Sequence, residues 1–250
     1  MDSWPQGYDR VVYDTIDSTN SEARRRLNTA LGPCWILAHE QTAGIGRRGR
    51  MWSTQAGNFA ATLLQPMNMP LNQAALQSFT AALALRDAFI AVGGNADDFN
   101  LKWPNDVLLK GGKVAGILLE TMGKGPSHLC IGIGVNLAHA PSTTALEATA
   151  TPPKSLIGDA QLHVTAEQFL AALAAAFDAR QMQFQQGGFD AIRRDWLKHA
   201  VKLGEQIIAR TISEEIQGRF ETVDETGALV LHTDKGLRYI TAAEIFFGES

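Results

Sequence analysis

The stretch EQTAGIGRRGRMW, residues 40–52, decides which fold class the chain can adopt. Its glycines Gly44, Gly46 and Gly49 have the G-x-G-x-x-G spacing of a dinucleotide-binding turn. In that fold the third glycine opens a helix, and an acidic residue follows about 20 positions later to bind the ribose. The residues after this turn lack the apolar periodicity of a helix. The first requirement is therefore not met.

The second requirement fails as well, because no Asp or Glu occurs between Glu40 and Asp87. The Gly-Lys-Ser/Thr sequence of a P-loop is also missing. The arginines Arg47, Arg48 and Arg50 consequently have no acidic partner close in sequence. Guanidinium groups grip phosphate oxygens in bidentate fashion, so the loop suits a polyphosphate or an adenylate. A solvated basic turn is the alternative interpretation.

The composition is that of a folded protein with a net negative charge. The chain has 250 residues, of which 45% are hydrophobic and 19% charged, so it can bury a full core. This length predicts one large domain, or one domain with a small appendage. The formal net charge of −4 argues against a general nucleic-acid binder, which would carry a strongly basic face. A basic patch in such a protein favours a small anionic ligand.

The chain carries few signals of export or metal binding. Its start lacks the basic and apolar segments of a signal peptide, and no apolar run reaches the roughly 20 residues of a membrane span. We therefore expect a cytoplasmic protein. Cys34 and Cys130 lie in apolar strand-like segments and are predicted to be buried free thiols. The six histidines form no H-x-x-H pattern, so structural zinc is not expected.

Hydrophobic patterns predict alternating strands and helices in the first half. A helix is predicted over Ser21–Leu27 behind an N-cap at Ser18, and a longer one from residue 71 to a stop at Gly93–Gly94. A hairpin is predicted to turn at Gly111–Gly112. Strands are predicted in the segments VVYDTI, CWILAHEQ, NFAATLLQP and HLCIGIGVNL.

The sequence of the second half predicts a change from helices to short strands near residue 200. Residues 138–155 are rich in Pro, Thr and Ala and are predicted to be a surface excursion. Two helices are predicted over 165–188 and 189–200. After Val201, short strands with turns at 225–227 and 234–236 resemble a small β-barrel.

A second cluster of charged residues lies in LKWPNDVLLKGGKVAGILLE, residues 101–120. Lys113 precedes an apolar strand, where a lysine is costly to bury without an anion. Gly132 and Gly134 interrupt the strand GIGVNL, and glycine within a strand often marks a close approach by a ligand or a neighbouring backbone. An ordinary turn into a hairpin, and tight strand packing, are the alternatives.

Five segments together resemble the catalytic domain of biotin–protein ligases, in the order and spacing of that family. They cover the chain to about residue 140. The resemblance implies an α+β fold similar to class II aminoacyl-tRNA synthetases over residues 1–200, followed by an SH3-like β-barrel over residues 201–250. The segments are DSTN (17–20), QTAGIGRRGRMW (41–52), KWPNDV (102–107), GGKVAGILLE (111–120) and GIGVNL (132–137).

The resemblance implies an ATP-dependent biotin–protein ligase. In that family, the carboxylate of biotin attacks the α-phosphate of ATP in the presence of Mg²⁺, which yields biotinyl-5'-AMP and pyrophosphate. A lysine amine of a biotin carboxyl carrier protein, here implied to be that of acetyl-CoA carboxylase, then attacks the mixed anhydride and releases AMP. No set of metal ligands is predicted.

The resemblance also assigns the site residues. Arg47 and Lys113 would be catalytic through charge stabilisation, and Lys102 and Asp106 would lie near the acceptor lysine or the metal. Biotin would contact Ser18, Thr19, Asn20, Gln41, Ile45, Gly46, Arg47, Lys113, Gly116, Gly132 and Gly134. ATP and the adenylate would contact Arg47, Arg48, Arg50, Trp52, Lys113 and Asn136.

Two departures from the family pattern alter these expectations. Many members have Gly-Arg-Gly-Arg in the loop, whereas Ile45 stands at the second position here. We therefore expect adenylation to be retained with a weaker hold on the intermediate. Bifunctional members carry an N-terminal DNA-binding domain, and the DSTN segment begins too early to leave room for one. No DNA or membrane partner is expected, and homodimerisation is left open.

Two other functions remain compatible with the sequence. A lipoate or octanoate ligase would share the fold and the lysine-acylation chemistry, although GRRGRMW and KWPNDV favour biotin. A non-catalytic biotin-binding protein would bind the ligand without ATP-dependent release of pyrophosphate. The presence of both Arg47 and Lys113 argues against it.

Overall fold

A computed structural model describes residues 4–52, 54–125, 127–142 and 151–247. The larger part is a seven-stranded sheet with three helices. The strands are β1 (Asp9–Ile16), β2 (Cys34–Gln41), β3 (Phe59–Pro66), β4 (Phe99–Lys102), β5 (Asp106–Leu109), β6 (Gly112–Met122) and β7 (His128–Val135). The helices are α1 (Thr19–Arg25), α2 (Leu71–Ala91) and α3 (Ala166–Lys198).

The strands of this sheet lie in the order β1-β2-β3-β7-β6-β5-β4. Only β1 and β2 pair in parallel, and all other neighbours are antiparallel. Because side chains alternate between the two faces of a strand, each strand contributes to two different environments. One face is covered completely, and the other is covered only in part.

The covered face packs against α2 and α3 to form the main core. Trp35, Leu63 and Ile131 project into it from three adjacent strands and are fully buried. Phe169 of α3 contacts both Phe59 of the sheet and Phe89 of α2 through its ring. The helices therefore hold the sheet rigidly from one side.

The opposite face is covered by α1 over only part of its area. A small apolar cluster that includes Ala23, Ile36, Leu64 and Cys130 lies beneath this short helix. Further along the same face, β6 and β7 present glycines in place of large side chains. This bare part of the sheet is where the cavity described below lies.

The C-terminal part forms a five-stranded antiparallel sheet, in the order β11-β10-β9-β8-β12. It contacts the larger part directly, since Trp103 Nε1 donates to Gly227 O at 3.1 Å. Its buried residues join the main core cluster. The strands are β8 (Gln206–Arg210), β9 (Glu215–Val223), β10 (Leu229–Thr233), β11 (Gly236–Ile240) and β12 (Glu244–Phe246).

Most sequence-based element predictions are confirmed. The four predicted strands correspond to β1, β2, β3 and β7, and both turns of the C-terminal sheet lie where predicted. Cys34 and Cys130 are buried free thiols, as expected. The domain boundary at residue 200 stays a prediction. Within the described residues, no helix has the length and apolar character to cross a membrane.

Two predicted positions are wrong by one or two residues. The first helix spans Thr19–Arg25 rather than Ser21–Leu27, although its N-cap is Ser18 as predicted. The hairpin turns at Lys110–Gly111, since these two residues have the positive φ angles, 47° and 79°, that a tight hairpin turn requires. Gly112 already belongs to β6.

The predicted surface excursion over 138–155 is only partly described, since residues 143–150 lie outside the described residues. Its end is not a free surface segment. Lys113 N donates to Pro152 O at 2.7 Å, and Lys154 N donates to Lys113 O at 2.8 Å, so the segment pairs with the start of β6. The two helices predicted after it form one run, α3, with a break at Gly188 where φ is 62°.

An ionic network joins α2 to both halves of α3. The carboxylate of Asp195 accepts from Lys198, Gln183 and Arg180 at 2.7 to 2.9 Å. Arg180 also binds Asp87 of α2 at 2.6 Å. The hydrogen bond from Lys198, together with those from the other two donors, lowers the pKa of Asp195 to about 2, although partial burial opposes this.

This network predicts a pH-dependent contribution to stability. A carboxyl whose pKa is lowered on folding stabilises the protein above its unfolded pKa, and the effect is lost as the pH falls towards 2. Asp195→Asn should therefore lower the free energy of unfolding at pH 7 by about 1–2 kcal/mol, measured by urea denaturation. The difference from wild type should shrink progressively as the pH falls from about 4, near the unfolded pKa, towards 2.

Asp190→Asn is the matched control for this prediction. Asp190 lies in the same half of α3 and pairs with Arg193, but its side chain is 70% exposed. Its removal should change stability little, because exposed ion pairs contribute little. An Asp195→Asn effect that is equally large at pH 7 and pH 3 would contradict the ionic explanation.

Candidate functional site

A cavity of about 620 Å³ lies on the partly covered face of the seven-stranded sheet. Its walls come from α1, the loop 44–52, the strands β4 to β7, the segment 151–153 and the strand β12. The structure brings every sequence-predicted site residue to this cavity. These are Ser18, Thr19, Asn20, Gln41, Ile45, Gly46, Arg47, Arg48, Arg50, Trp52, Lys102, Asp106, Lys113, Gly116, Gly132, Gly134 and Asn136.

The floor of the cavity is shaped by two glycines of β7. A Cβ atom at Gly132 would lie 2.5 Å from Asn20 Oδ1, and one at Gly134 would lie within 2.5 Å of the Trp52 indole. Any larger residue would therefore collide with these side chains. The close approach that the sequence predicted is here an approach by Asn20 and Trp52, which bring polar and aromatic groups onto the sheet surface.

A β-bulge in β6 directs Lys113 into the cavity. The register of β5 and β6 shifts by one residue between Val107 and Leu108, which leaves Val114 as the extra residue. Val114 and Ala115 are consequently both buried in the main core, whereas Lys113 and Gly116 both face the cavity. Bulges commonly redirect side chains in this way beside functional sites.

Positive charge dominates the cavity lining. Five cationic side chains, Arg47, Arg48, Arg50, Lys102 and Lys113, line it together with two carboxylates, Asp106 and Glu244. The excess is notable in a chain whose formal net charge is −4. Cations gathered in a partly dry cleft attract anions more strongly than on an open surface. The cavity is therefore suited to a ligand that carries several negative charges.

Lys113 and Asp106 form the central ion pair. Lys113 Nζ lies 2.7 Å from Asp106 Oδ1 and 5.8 Å from the centre of the Trp52 ring. The pair lacks the alignment of a hydrogen bond, and Asp106 Oδ1 has no hydrogen-bond partner among the described residues. An ammonium group has three N–H donors, so Lys113 can bind an anion while it remains beside Asp106.

Arg47 is held by an asparagine that is itself fixed to β6. Its Nη1 donates to Asn105 Oδ1 at 2.8 Å, while Asn105 Nδ2 donates to Ile117 O at 2.6 Å. Burial, followed by smaller contributions from Arg48 and Arg50, lowers the pKa of Arg47. A guanidinium has five N–H donors, so most of them remain for ligand oxygens.

Lys102 is the most deeply buried of the five cations. Its Nζ donates to Thr151 Oγ1 at 2.6 Å and lies 4.8 Å from the centre of the Phe247 ring. Burial lowers the pKa of Lys102, and the charge of Lys113 lowers it further, while Asp106 opposes both. A lysine in this position is readier to lose its proton than a solvated one.

The other two loop arginines bind the C-terminal sheet. Arg50 Nη2 lies 2.7 Å from Glu244 Oε1, and Arg48 Nη1 lies 3.3 Å from Glu244 Oε2. Their acidic partner is therefore almost 200 residues away, which explains why none is visible near the loop in the sequence. The pairing ties the loop to β12 across the mouth of the cavity.

Ile45 occupies the rim of the cavity rather than its interior. Its side chain is 56% exposed, and its backbone pairs with that of Met51. Gly46 N also donates to Arg50 O at 2.7 Å, which closes the loop on itself. The loop is thus held by its own backbone as well as by Glu244.

Several lining residues were not predicted from the sequence. Glu244, Ile245 and Phe246 come from the C-terminal sheet, and Thr151 and Pro153 come from the segment assigned to the surface. No local sequence pattern connects these residues to the loop. Asn105, by contrast, lies within KWPNDV, and its place between two predicted site residues was an available signal.

Comparison with known proteins identifies the class to which this fold and cavity belong. The family described as Biotin/lipoate A/B protein ligase matches residues 12–136, and the Biotin protein ligase C terminal domain matches residues 202–248. A biotin–[acetyl-CoA-carboxylase] ligase from Paracoccus denitrificans is 52% identical over 93% of this chain and 98% of its own length. The chain therefore belongs to the biotin/lipoate protein ligase family.

More distant relatives agree with this assignment. The bifunctional ligase/repressor BirA of Bacillus subtilis is 29% identical over 97% of this chain, which spans 75% of the BirA sequence. The solved biotin protein ligase of Aquifex aeolicus in complex with biotin and ATP has a TM-score of 0.76 at 23% identity. The superposition covers 95% of this chain and 97% of the other, so the two proteins share the overall fold.

The ion pairs between the loop arginines and Glu244 are predicted to protect the loop from proteolysis. Glu244→Gln should weaken both ion pairs and leave the backbone contacts intact. Exposed pairs contribute about 0.2–1 kcal/mol each, so trypsin cleavage after Arg47, Arg48 or Arg50 should accelerate about two- to fivefold. Mass spectrometry of timed digests measures this rate.

Glu214→Gln is the matched control for the loop experiment. Glu214 pairs with Arg238 at 2.6 Å in the C-terminal part of the chain and does not line the cavity. Its loss should leave cleavage in the loop unchanged. Equal cleavage rates in wild type and Glu244→Gln would mean that the ion pairs do not hold the loop.

Proposed function

We propose that this protein is an ATP-dependent biotin–protein ligase that acts on a biotin carboxyl carrier protein. The observation that carries the proposal is the gathering of five cations against two carboxylates beside a glycine floor, in a member of the biotin/lipoate protein ligase family. A cavity of this kind offers charge to the phosphates and a flat apolar surface to a ring. The identity to the Paracoccus denitrificans biotin–[acetyl-CoA-carboxylase] ligase supports biotin as the substrate.

The first step joins the carboxylate of biotin to the α-phosphorus of ATP. An oxygen of the carboxylate forms the new P–O bond while the bond to the leaving pyrophosphate breaks, which yields biotinyl-5'-AMP. Negative charge builds up on the phosphate oxygens in this step. Arg47 and Lys113 are suited to stabilise it, because both are held in place before the ligand binds.

The second step transfers the biotinyl group to a lysine of the carrier protein. The neutral amine attacks the acyl carbon, AMP leaves with the electrons of the C–O bond, and the amine loses a proton. Lys102 and Asp106 lie at the same end of the cavity, opposite each other in the β4–β5 ladder. We assign them to the vicinity of the incoming amine, where a carboxylate can hold its proton.

Magnesium would enter with ATP rather than bind to a site made by the protein alone. Mg²⁺ usually keeps several water molecules and binds one or two carboxylates together with substrate phosphates. No group of three or more potential metal-ligating side chains occurs within the described ranges. Asp106 and Glu244 are the carboxylates of the cavity and would be the ones to face a magnesium–phosphate group.

The two ends of the cavity suit the two halves of the intermediate. Ser18, Thr19, Asn20 and Gln41 supply polar groups at one end, which we assign to the ureido ring of biotin. Trp52 lies against Gly134, so a bound ring would pack beside the indole. Asn136 Nδ2 donates a hydrogen bond to Lys154 O at 3.0 Å, which leaves the side-chain amide oxygen free to accept from the adenine amino group.

The proposed setting is the cytoplasm, where ATP and the carrier protein of acetyl-CoA carboxylase would be available. DNA and membranes are not proposed as partners. Homodimerisation stays a prediction.

The decisive experiment combines the protein with ATP, Mg²⁺, biotin and a carrier domain, and measures the carrier by mass spectrometry. The expected result is the mass increase of one biotinyl group. Lys113→Ala should slow the reaction about 10²- to 10³-fold, as is typical when a donor to a developing oxyanion is removed. Lys124→Ala is the control, because Lys124 is exposed and does not line the cavity.

The same assay separates the competing functions. Modification by lipoate or octanoate, but not by biotin, would assign the protein to the other branch of its family. Binding of biotin without release of pyrophosphate would identify a non-catalytic binder. An unmodified carrier with every acyl donor would contradict the proposal.

The loop position Ile45 predicts how tightly the intermediate is held. Ile45→Arg would add a sixth cation at the rim, where it can reach the phosphate or the acyl group of the adenylate. We expect release of biotinyl-5'-AMP to slow by about 3- to 30-fold, equivalent to about 1–2 kcal/mol for a charge-assisted hydrogen bond. Filter retention of radiolabelled intermediate measures the rate. Ile212→Arg is the control, because Ile212 is fully exposed and does not line the cavity.

A further inference from the structure

A chain of hydrogen bonds connects the polar end of the cavity to two residues behind it. Gln41 Oε1 accepts from the backbone N–H of Thr19 at 2.8 Å. The hydroxyl of Thr19 lies 2.8 Å from that of Thr62, which lies 2.5 Å from Asn20 Oδ1. Asn20 Nδ2 then donates to Glu120 Oε2 at 2.7 Å. Three of these residues line the cavity, whereas Thr62 and Glu120 do not.

Thr62 is a polar residue in an apolar part of the sheet. It lies on the central strand β3, is completely buried, and pairs with Gly132 of β7. Its neighbours along the same face, Leu64 and Ala60, are apolar. A buried hydroxyl is costly unless it is hydrogen-bonded, and valine would fill the same volume without that requirement. The contacts to Thr19 and Asn20 satisfy the hydroxyl.

The donors and acceptors around Asn20 fix the orientation of its side-chain amide. The carboxylate of Glu120 can only accept, so the nitrogen of the Asn20 amide must face it and the oxygen must face Thr62. A hydroxyl has one proton, and that of Thr62 is required by the amide oxygen. The Thr19 hydroxyl lies 2.8 Å from Thr62 Oγ1 and 3.1 Å from Gln41 Oε1, so its own proton has two acceptors within reach. Flipping the Asn20 amide would place its oxygen against the carboxylate of Glu120 with no proton between them.

We propose that Thr62 and Glu120 are positioning residues for the end of the cavity that binds the ureido ring. They hold the Asn20 amide and the Thr19 hydroxyl in one orientation, so that the donors and acceptors offered to a cyclic urea are fixed before it binds. Gly132 is part of this device, because a side chain there would displace the Asn20 amide. The inference rests on the proposed function, since it concerns the same cavity.

Loss of the Thr62 hydroxyl should weaken the binding of biotin and leave the binding of ATP unchanged. Thr62→Val keeps the volume and removes the hydroxyl, which leaves the Asn20 amide oxygen without its donor and removes the contact between Thr62 and the Thr19 hydroxyl. We expect the KM for biotin in pyrophosphate release to rise about tenfold, the effect of losing one to two buried hydrogen bonds. The KM for ATP and kcat at saturating biotin should stay within about twofold, because neither Arg47 nor Lys113 touches the chain of hydrogen bonds.

Conservative variants distinguish positioning from folding. Thr62→Ser retains the hydroxyl and should restore the KM for biotin to within about threefold of wild type. Glu120→Gln retains an acceptor but no longer dictates the amide orientation, so an intermediate rise is expected, whereas Glu120→Leu should match Thr62→Val. Urea denaturation of each variant verifies that the protein is folded.

Thr80→Val is the matched control. Thr80 is also a completely buried threonine, but it lies on α2, and its hydroxyl has no partner among the described residues. Removing that hydroxyl should leave the KM for biotin unchanged. A folded Thr62→Val protein with wild-type KM for biotin, or with equal increases in both KM values, would overturn the inference. A wild-type protein that does not activate biotin would instead overturn the proposed function.

Discussion

Mutual repulsion among five cations is the constraint on which the site depends. Arg47, Arg48, Arg50, Lys102 and Lys113 line one cavity, and each like-charge contact disfavours their burial. Burial, with a smaller contribution from the neighbouring positive charges, lowers the pKa of Lys102 and of Arg47. The protein offsets the cost with only two carboxylates and otherwise with neutral acceptors. An anion that enters the cavity relieves the repulsion, so the arrangement is most stable with its ligand bound.

The neutral acceptors determine which cations can move. Arg47 is fixed through Asn105 to β6, and Lys113 lies on a bulge whose backbone is bonded on both sides to residues 152–154. These two groups are therefore preorganised, as charge stabilisation in a transition state requires. Arg48 and Arg50 depend instead on Glu244, through ion pairs that are largely exposed. The cavity thus combines two cations held by the main sheet with two that depend on a single carboxylate of the C-terminal sheet.

The fold was predictable from the sequence wherever the hydrophobic pattern of a single segment is enough to identify it as a strand or a helix. The strands β2 and β3 and the helix α2 are continuous apolar or periodic segments, so their bounds follow from local rules. The Rossmann reading of GIGRRGR could be rejected for a similar reason, because its requirements are local. What could not be predicted depends on distant pairing. The bulge at Val114 requires knowledge of the β5–β6 register, and the role of residues 151–155 requires the contact with Lys113.

The candidate site shows the same division between local and distant information. Motifs within the first 140 residues located seventeen lining residues, because the strands that carry them are neighbours in the sheet. Glu244 was not predicted, since β12 follows the loop by almost 200 residues and only tertiary packing brings the two together. Thr62 was not predicted for a different reason, because a single threonine in the apolar strand FAATLLQP belongs to no recognisable sequence motif. Its significance follows only from counting protons in a buried network, where every donor must have an acceptor and an amide has two different ends.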